Sequence, residues 1–193
     1  MDKHIKAPFD REEVKNLKAG DYVYIDGIVY SARDAAHKRM YDSIIKSGCE
    51  NVSGKELYER GIVPIDLNGN VIYYLGPTPA KPGQVIGSAG PTTSSRMDKY
   101  TPLILSKGLC GMIGKGKRSP EVENKAVYLA AVGGAGALLS KCIKESEVIA
   151  YDDLGTEAIR KMRVENFPAI VVIDSEGHNL YETAVTDYLD EKK

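Results

Sequence analysis

Cysteine is scarce in this chain of 193 residues, and the few cysteines that occur are far apart. Cys49, Cys110 and Cys142 form no C-x-x-C run or similar spacing, which is the usual signature of a zinc or iron–sulfur site. Distant cysteines can still meet in a fold. Cys110 lies inside an apolar run, however, and Cys142 follows a helical segment, so we interpret both as buried or half-buried small hydrophobic side chains. The spacing therefore gives no local signal for a metal site.

The sequence also lacks an excess of charge of either sign. It has 26 basic and 27 acidic residues, which gives a formal net charge of -1. This balance provides no bulk attraction to nucleic acid or to a membrane surface, so we expect neither as a partner. Any cationic site must be local.

Long hydrophobic runs are absent as well. The opening residues Met1–His4 have no apolar signal-peptide core, and no run approaches the length that spans a bilayer. We therefore expect a cytoplasmic protein. The 193 residues, of which 42% are hydrophobic, suffice for one substantial core but are too few for two full domains. Residues 1–193 are predicted to form a single compact domain.

The most informative stretch that is present runs from Gly90 to Met97 and reads GPTTSSRM. Gly90 permits a sharp entry and Pro91 suits the first position of a helix, which predicts a helix N-terminus with hydroxyls beside free backbone N–H groups. In such a helix Thr92 and Arg96 share a face, so a hydroxyl and a guanidinium point toward one spot at the positive end of the dipole. The alternative is an ordinary capped helix start.

A second candidate lies where a strand runs into a helix. The strand-like run Asp21–Tyr30 leads into a helical pattern, so Arg33 falls near the junction at which open α/β sheets contact ligands. His37 is one helical turn further on. The alternative is a solvated basic helix face, on which Asp34 pairs with Lys38.

A third candidate is Lys115 in GMIGKGK, where an apolar strand ends in glycines that flank the lysine. The glycines let the backbone approach a ligand and the lysine supplies a compact positive charge, whereas a flexible turn is the alternative. The spacing does not fit a phosphate-binding P-loop. The glycines of Val132–Ala137 resemble a dinucleotide fingerprint only superficially, and close helix packing explains them better.

Along the chain, strands alternate with helices, which predicts an α/β layered domain. Among the predicted elements are a strand at Val85–Gly87 that enters the helix at Pro91, a helix that begins near Ser119-Pro120-Glu121, a helix near Thr156–Lys161, and a hairpin of Ala169–Ile173 with Leu180–Thr183. The hairpin is predicted to turn at Ser175–Gly177.

Four motifs together carry a family resemblance: ARDAAHKRM, GPTTSSRMDKYTP, GMIGKG and AYDDLGTEAIRKMRVENFPAIVVIDSEGHNLY. In this order they resemble the β subunit, or C-terminal domain, of class I iron–sulfur fumarate hydratases and tartrate dehydratases, from about Gly20 to Tyr181. The resemblance implies a layered swivelling β/β/α domain and a fumarate hydratase that interconverts fumarate and (S)-malate. The alternatives are an L(+)-tartrate dehydratase β subunit and a non-catalytic carboxylate-binding or scaffold domain.

The resemblance also implies which residues act. The residues expected to bind the dicarboxylate substrate are Arg33, Arg96, Lys115, Thr93 and His37. Thr92 is implied to transfer the carbon-bound proton, together with an acid from the partner subunit. A neutral threonine hydroxyl is a weak base, so Thr93 and His37 remain rivals for this role.

In this family the cluster cysteines lie on the α subunit or N-terminal domain. The resemblance therefore implies a 4Fe–4S cluster on a partner α subunit, where an iron with an open position acts as Lewis acid for hydroxide. It further implies an α2β2 assembly with a β–β contact. It implies that this chain by itself holds no metal and has no activity.

Overall fold

The computed structural model describes residues 2–119 and 126–190. Its strands are β1 (Lys3–Ala7), β2 (Tyr22–Ser31), β3 (Val71–Tyr73), β4 (Gly111–Gly114), β5 (Val127–Ala130), β6 (Ile143–Ala150) and β7 (Ile159–Ile173). Its α-helices are α1 (Arg11–Lys15), α2 (Asp34–Lys46), α3 (Gly54–Glu59), α4 (Thr101–Ser106), α5 (Gly136–Cys142) and α6 (Leu180–Asp190). Short 3-10 segments lie at Ser94–Met97 and Asp152–Glu157. No helix within the described ranges combines the length and the apolarity needed to cross a membrane.

The strands form one sheet in the order β1-β2-β3-β4-β5-β7-β6, and a further pairing of β2 with β7 closes five of them into a ring. Strands β2, β3, β4 and β5 run parallel, whereas β7 is antiparallel to both β5 and β2. β1 and β6 extend the ring at β2 and at β7. Because parallel strands point their carboxyl ends the same way, the ends of β2 to β5 lie along one edge.

Two apolar clusters cover the two faces of the sheet. In β3, Val71 and Tyr73 join a cluster that draws on all five strands of the ring. Ile72 of β3, and Tyr74 directly after it, join a second cluster with Met40 of α2 and with residues of α3 and α4. Successive residues of a strand point to opposite faces, so β3 is buried on both sides. The predicted α/β class and single compact domain are confirmed: a closed ring of strands carries a layer of helices.

Several predicted elements are wrong, and for two of them contacts with other segments decide the local structure. Val85–Gly87 is not a strand; the next residue, Ser88, donates its N–H to Thr78 Oγ1 (2.8 Å), so the segment folds back on the loop before it. Thr156–Lys161 is not a helix, because Ile159 opens the long strand β7. That strand pairs with β2 on one edge and with β5 and β6 on the other.

The predicted turn after β7 is present, but its second strand is not. A bridge between Ile173 and Asn179 closes the turn. Helix α6 begins at the next residue, so Leu180–Thr183 is helical. The predicted helix near Ser119-Pro120-Glu121 falls on residues 120–125, which lie outside the described residues.

Candidate functional site

Three of the sequence motifs converge at the edge where the parallel strands end. Arg33 follows β2, Gly76 follows β3, Lys115 directly follows β4, and Gly133 lies shortly after β5. These strands are neighbours in the sheet, so their ends lie side by side. Sheets with parallel strands commonly bind ligands at this edge.

The GPTT segment lies between the ends of β3 and β4. The Thr92 N–H donates to Tyr74 O (2.8 Å), and the Lys115 N–H donates to Thr92 O (3.3 Å). The Ser94 N–H donates to Lys115 O (2.9 Å), and Thr93 forms a parallel bridge with Lys115. The segment therefore behaves as a short strand that joins β3 to β4 beyond their ends.

The predicted helix beginning at Pro91 is therefore wrong. Pro91 and Thr93 both form bridges to neighbouring segments, Thr93 is extended at φ -64° and ψ 119°, and helical geometry begins at Ser94. The start signal is overridden because the Thr92 N–H, which a helix N-terminus leaves free, is bonded to the chain that follows β3. Thr92 and Arg96 do not share a helical face.

Behind this edge, Ser94 fixes the backbone of Lys115. The Lys115 N–H donates to Ser94 Oγ (3.1 Å), which lies 2.9 Å from the Tyr128 hydroxyl. Tyr128 donates its one proton to Gly116 O (2.9 Å), so the Ser94 hydroxyl donates to the Tyr128 oxygen. Gly114 makes room for this arrangement, since a Cβ there would lie 2.0 Å from Ser94 Oγ. Buried polar groups thus hold the loop that presents Lys115.

The structure brings Thr92, Thr93 and Lys115 together. Thr92 is half-buried, and Thr93 and Lys115 are exposed. The Lys115 side chain passes Gly133, where an added Cβ would lie 3.7 Å from Lys115 Cδ. Because the segment is extended, Thr92 and Thr93 direct their side chains to opposite sides of it. A threonine hydroxyl and a lysine ammonium group can each donate a hydrogen bond to a carboxylate and stabilise a developing negative charge.

Arg33 lies at the adjoining strand end, and its guanidinium is held from several sides. Its Nη2 is 3.2 Å from Glu157 Oε1, and its Nε is 3.7 Å from Asp34 Oδ1. The guanidinium also rests on Gly76, where a Cβ would lie 2.5 Å from Arg33 Nη1. Arg33 Nε is buried and makes no hydrogen bond to any described residue. The planar fork of an arginine can bind a carboxylate through two hydrogen bonds.

His37 lies behind Arg33 and is only 1% exposed. Burial lowers the pKa of its imidazole to about 4, and the nearby charge of Arg118 acts in the same direction. The ring is therefore neutral at pH 7, and Nδ1–H donates to Arg33 O (2.9 Å). Its other face packs edge-on against Tyr74, with the ring centres 5.2 Å apart. The imidazole contacts the backbone of Arg33 rather than the open edge.

Arg96 lies beside the first turn of α2. Its exposed side chain lines a pocket of about 460 Å³ together with Asp34, Ala35, Lys38, Lys99 and Tyr100. Asp34 lines this pocket and also forms the ion pair with Arg33 Nε, so it lies between Arg96 and Arg33. The ion pair of Asp34 with Lys38 that a solvated helix face would form is not made; Lys38 Nζ donates to Asp42 Oδ2 (2.5 Å) instead.

Sequence reasoning missed two charged groups next to these residues. The Arg118 side chain is fully buried, with Nε 2.6 Å from Asp98 Oδ1 and its guanidinium carbon 5.1 Å and 5.0 Å from the ring centres of Tyr74 and Tyr128. Glu157 contacts Arg33 from a segment that lies more than a hundred residues away in the chain. The cluster of cations in GKGKR is the one local signal that points to Arg118, and no local signal points to Glu157.

The cysteines do not fit the ligand set of an iron–sulfur cluster. Cys110 is buried and Cys142 half-buried, as their sequence surroundings predicted. The Cys110 thiol donates to Gly108 O (3.5 Å), and the Cys142 thiol donates to Asn166 O (3.7 Å). Among the described residues, no three His, Cys, Asp or Glu side chains converge on a possible metal site.

Comparison with known proteins shows which family the chain is similar to. A family model described as Fumarase C-terminus matches residues 3–184. Fumarate hydratase 2 of Leishmania major is 34% identical over 187 residues, which cover 92% of this chain and 30% of that protein. The anaerobic class I fumarate hydratase of Escherichia coli (strain K12) is 36% identical over 168 residues, which cover 83% of this chain and 28% of that protein.

A Methanocaldococcus jannaschii protein, provisionally named L(+)-tartrate dehydratase subunit beta, is 38% identical over 183 residues, which cover 89% of this chain and 87% of that protein. The chain thus spans about a third of the length of the fumarate hydratases that it matches and most of the length of this subunit. Because the family model covers residues 3–184, the chain belongs to the fumarase C-terminus family.

Proposed function

We propose that this chain is the β subunit of an iron–sulfur-dependent hydro-lyase that interconverts fumarate and (S)-malate. One observation carries the proposal: the ends of neighbouring parallel strands bring Thr92, Thr93 and Lys115 together and place Arg33 beside them. Family membership, and relatives named fumarate hydratase, support this reaction class. The layered swivelling β/β/α architecture belongs to the same proposal.

The cations at this edge suit a substrate with two carboxylates. Arg33 and Lys115 follow β2 and β4, which are separated by the single strand β3. Neighbouring strands are about 4.8 Å apart, so the two backbones are on the order of 10 Å apart. Two long cationic side chains can close across that distance on the two ends of a four-carbon dicarboxylate. Arg96, on the far side of Asp34, supplies a further positive charge.

Proton transfer at the substrate carbon is proposed for Thr92. Thr92 is half-buried, and its carbonyl oxygen accepts the Lys115 N–H, so its backbone is fixed. A threonine hydroxyl is a weak base, and the ammonium group of Lys115 would favour its alkoxide. Thr93 is the rival on the same segment. His37 is unprotonated at neutral pH, as a base must be, but it is buried and donates to Arg33 O, so we assign it to positioning.

The remaining parts of the reaction are proposed to come from a partner α subunit. A 4Fe–4S cluster on that partner would supply the Lewis acid that a departing hydroxide needs. The partner would also contribute the acid that works with Thr92. We propose an α2β2 assembly with a β–β contact, so solution scattering of the purified complex should give the mass of a heterotetramer.

L(+)-tartrate dehydration is the second candidate. It is favoured by the relative provisionally named as a tartrate dehydratase β subunit, because that protein matches this chain over 87% of its own length. Both reactions remove or add water at a four-carbon dicarboxylate, so the same cations serve both. The substrate therefore has to be decided by assay.

The test is an anaerobic assay of this chain alone and of the complex with a cluster-bearing α subunit. We expect the chain alone to be inactive and the complex to hydrate fumarate and dehydrate malate. Turnover of one tartrate enantiomer in place of malate would select the second candidate. A complex that binds dicarboxylates without turning any of them over would indicate a binding or scaffold domain.

A further inference from the structure

Glu157 touches two parts of the candidate site at once. Its Oε1 lies 3.2 Å from Arg33 Nη2, and its Oε2 accepts the Ala35 N–H (3.0 Å) in the first turn of α2. Both Arg33 and Glu157 have side chains that are 21% exposed. One carboxylate thus binds both the guanidinium and the helix that follows it.

A strap made of residues 151–157 carries Glu157 to this position. Asp153 accepts two hydrogen bonds from Arg39 of α2, at 2.7 Å and 2.6 Å, and the Arg39 guanidinium lies 4.7 Å from the centre of the Tyr151 ring. Tyr151 has a left-handed backbone (φ 59°), which turns the chain out of β6. The strap is therefore fastened to α2 at a point that does not touch Arg33.

Gly76 restricts the position of the Arg33 guanidinium from a second side. A Cβ at Gly76 would lie 2.8 Å from Arg33 Cδ and 2.5 Å from Arg33 Nη1, so the side chain lies directly on the glycine. Arg33 Nε makes no hydrogen bond to any described residue and lies 3.7 Å from Asp34 Oδ1, so the closer ion pair with Glu157 sets the direction of the fork. Without that pair the long side chain has several rotamers open to it.

We propose that Glu157 is a positioning residue, which holds the Arg33 guanidinium in the orientation that receives a substrate carboxylate. This inference rests on the proposed function, because it takes Arg33 to bind the dicarboxylate. Glu157 acts through Arg33 and does not touch substrate. An arginine that is already oriented loses less entropy when it forms its two hydrogen bonds.

The test uses Glu157→Gln and a matched control. The amide oxygen of a glutamine can still accept the Ala35 N–H, so the first turn of α2 keeps its partner, whereas the negative charge beside Arg33 is removed. Asp153→Asn weakens the same strap at its pair with Arg39 and leaves Arg33 untouched. Any effect of loosening the strap alone therefore appears in both variants, and an effect on Arg33 appears in Glu157→Gln only.

The first measurement is made on this chain without partner or substrate. NMR relaxation of the Arg33 Nε–Hε group reports the order of its side chain. We expect an ordered Arg33 in the wild type and in Asp153→Asn, and a mobile one in Glu157→Gln. An equally ordered Arg33 in Glu157→Gln would overturn the proposal.

The second measurement is steady-state kinetics of the complex with the α subunit. We expect Glu157→Gln to lower kcat/KM about tenfold or more, mainly through KM, and Asp153→Asn to leave it unchanged. In an Arg33→Met background, Glu157→Gln should add nothing, because its effect passes through Arg33. Additive losses in the double variant would contradict the proposal.

The two measurements separate the two claims. If Arg33 loses order in Glu157→Gln while the wild-type complex turns over no dicarboxylate, the positioning by Glu157 stands and the proposed function fails. If the wild-type complex is active and Glu157→Gln changes neither Arg33 order nor kcat/KM, the proposed function stands and the positioning role fails.

Discussion

At the scale of single residues, the site divides into exposed groups that face outward and buried groups that hold them. Thr93, Arg96 and Lys115 are exposed, whereas Ser94 and His37 are almost completely buried. The exposed residues carry the hydroxyl and the positive charges. The buried residues form hydrogen bonds with the backbone of the site: Ser94 with Lys115, and His37 with Arg33. Substitutions in the two sets should therefore have different consequences.

Exposed cations should matter for substrate and not for stability. We expect Lys115→Ala and Arg96→Ala each to weaken transition-state binding by about 1.5–3 kcal/mol, which is the usual cost of losing one charge-assisted hydrogen bond. The free energy of unfolding should change by no more than about 0.5 kcal/mol. Steady-state kinetics of the complex and urea unfolding of the chain measure the two quantities.

Lys117→Ala is the matched control for these variants, because Lys117 is also exposed and lies in the same glycine-rich loop. It should leave kcat/KM near the wild-type value. Equal losses in Lys117→Ala and Lys115→Ala would mean that the loop contributes only its overall charge.

His37 should make the fold sensitive to mild acid. Burial lowers the pKa of its imidazole to about 4, so the unfolded chain, whose histidine titrates near 6.5, binds a proton more readily than the folded chain. Stability from this group is complete above about pH 6.5 and is lost as the pH falls toward about 4. At about pH 5 the loss should be roughly 2 kcal/mol.

His37→Asn tests this account, because an asparagine amide can still donate to Arg33 O but does not titrate. Urea unfolding should show that the stability of the variant falls less than that of the wild type between about pH 7.5 and about pH 5. The same pH dependence in both proteins would show that other groups cause it.

At the scale of elements, the sequence predicts what is decided locally. The junction from Asp21–Tyr30 into a helix is confirmed as β2 and α2, because alternation and helical period mark both sides of it. Thr92 was expected in a helix because Gly-Pro followed by hydroxyls is a start signal. Its strand-like geometry depends on Tyr74 and Lys115, which lie far from it in the chain.

The contact of Glu157 with Arg33 was beyond sequence reasoning for the same reason. The segment around Glu157 was predicted to be helical, whereas it forms a 3-10 segment before the long strand β7. Its partners lie on α2, and no periodicity links the two stretches. The sequence thus predicts which side chains carry the chemistry, whereas the groups that position them require the fold.

The turn from β7 to α6 gives a prediction at this scale. Burial acts to raise the pKa of Asp174, but hydrogen bonds from His178 and from the N–H groups of Ala19 and Glu176 outweigh it, so the pKa lies below its ordinary value. The stability that follows is present above about pH 4 and is lost as the pH falls through the lower folded pKa. Asp174→Asn should lower the free energy of unfolding at neutral pH by about 1.5–3 kcal/mol.

Glu176→Gln is the control in the same turn, because the Glu176 side chain is largely exposed. It should change the free energy of unfolding by no more than about 0.5 kcal/mol. Urea unfolding at neutral and acid pH compares the variants. A difference between Asp174→Asn and the wild type that does not begin to shrink as the pH falls below about 4 would contradict the ionised role of Asp174.

At the scale of the whole molecule, the closed ring of strands explains why one edge can carry the site. Closure by β2 and β7 fixes the positions of β3, β4 and β5 relative to each other, so the groups at their ends are held by the sheet. The chain supplies hydroxyls and cations there, and its cysteines do not fit a cluster. We therefore propose that this chain carries substrate binding and proton transfer and that a partner carries the remaining chemistry.

The most direct test of this assignment is solvent-deuterium exchange into malate, catalysed by the assembled complex with Thr92→Val in this chain. Exchange reports proton abstraction at carbon even when another step limits turnover. We predict that Thr92→Val slows exchange by orders of magnitude with substrate affinity nearly unchanged, because the arginine and lysine contacts remain, and that Thr93→Val has a milder effect. Exchange at the wild-type rate in Thr92→Val would remove Thr92 from proton transfer and contradict the assignment of that step to this chain.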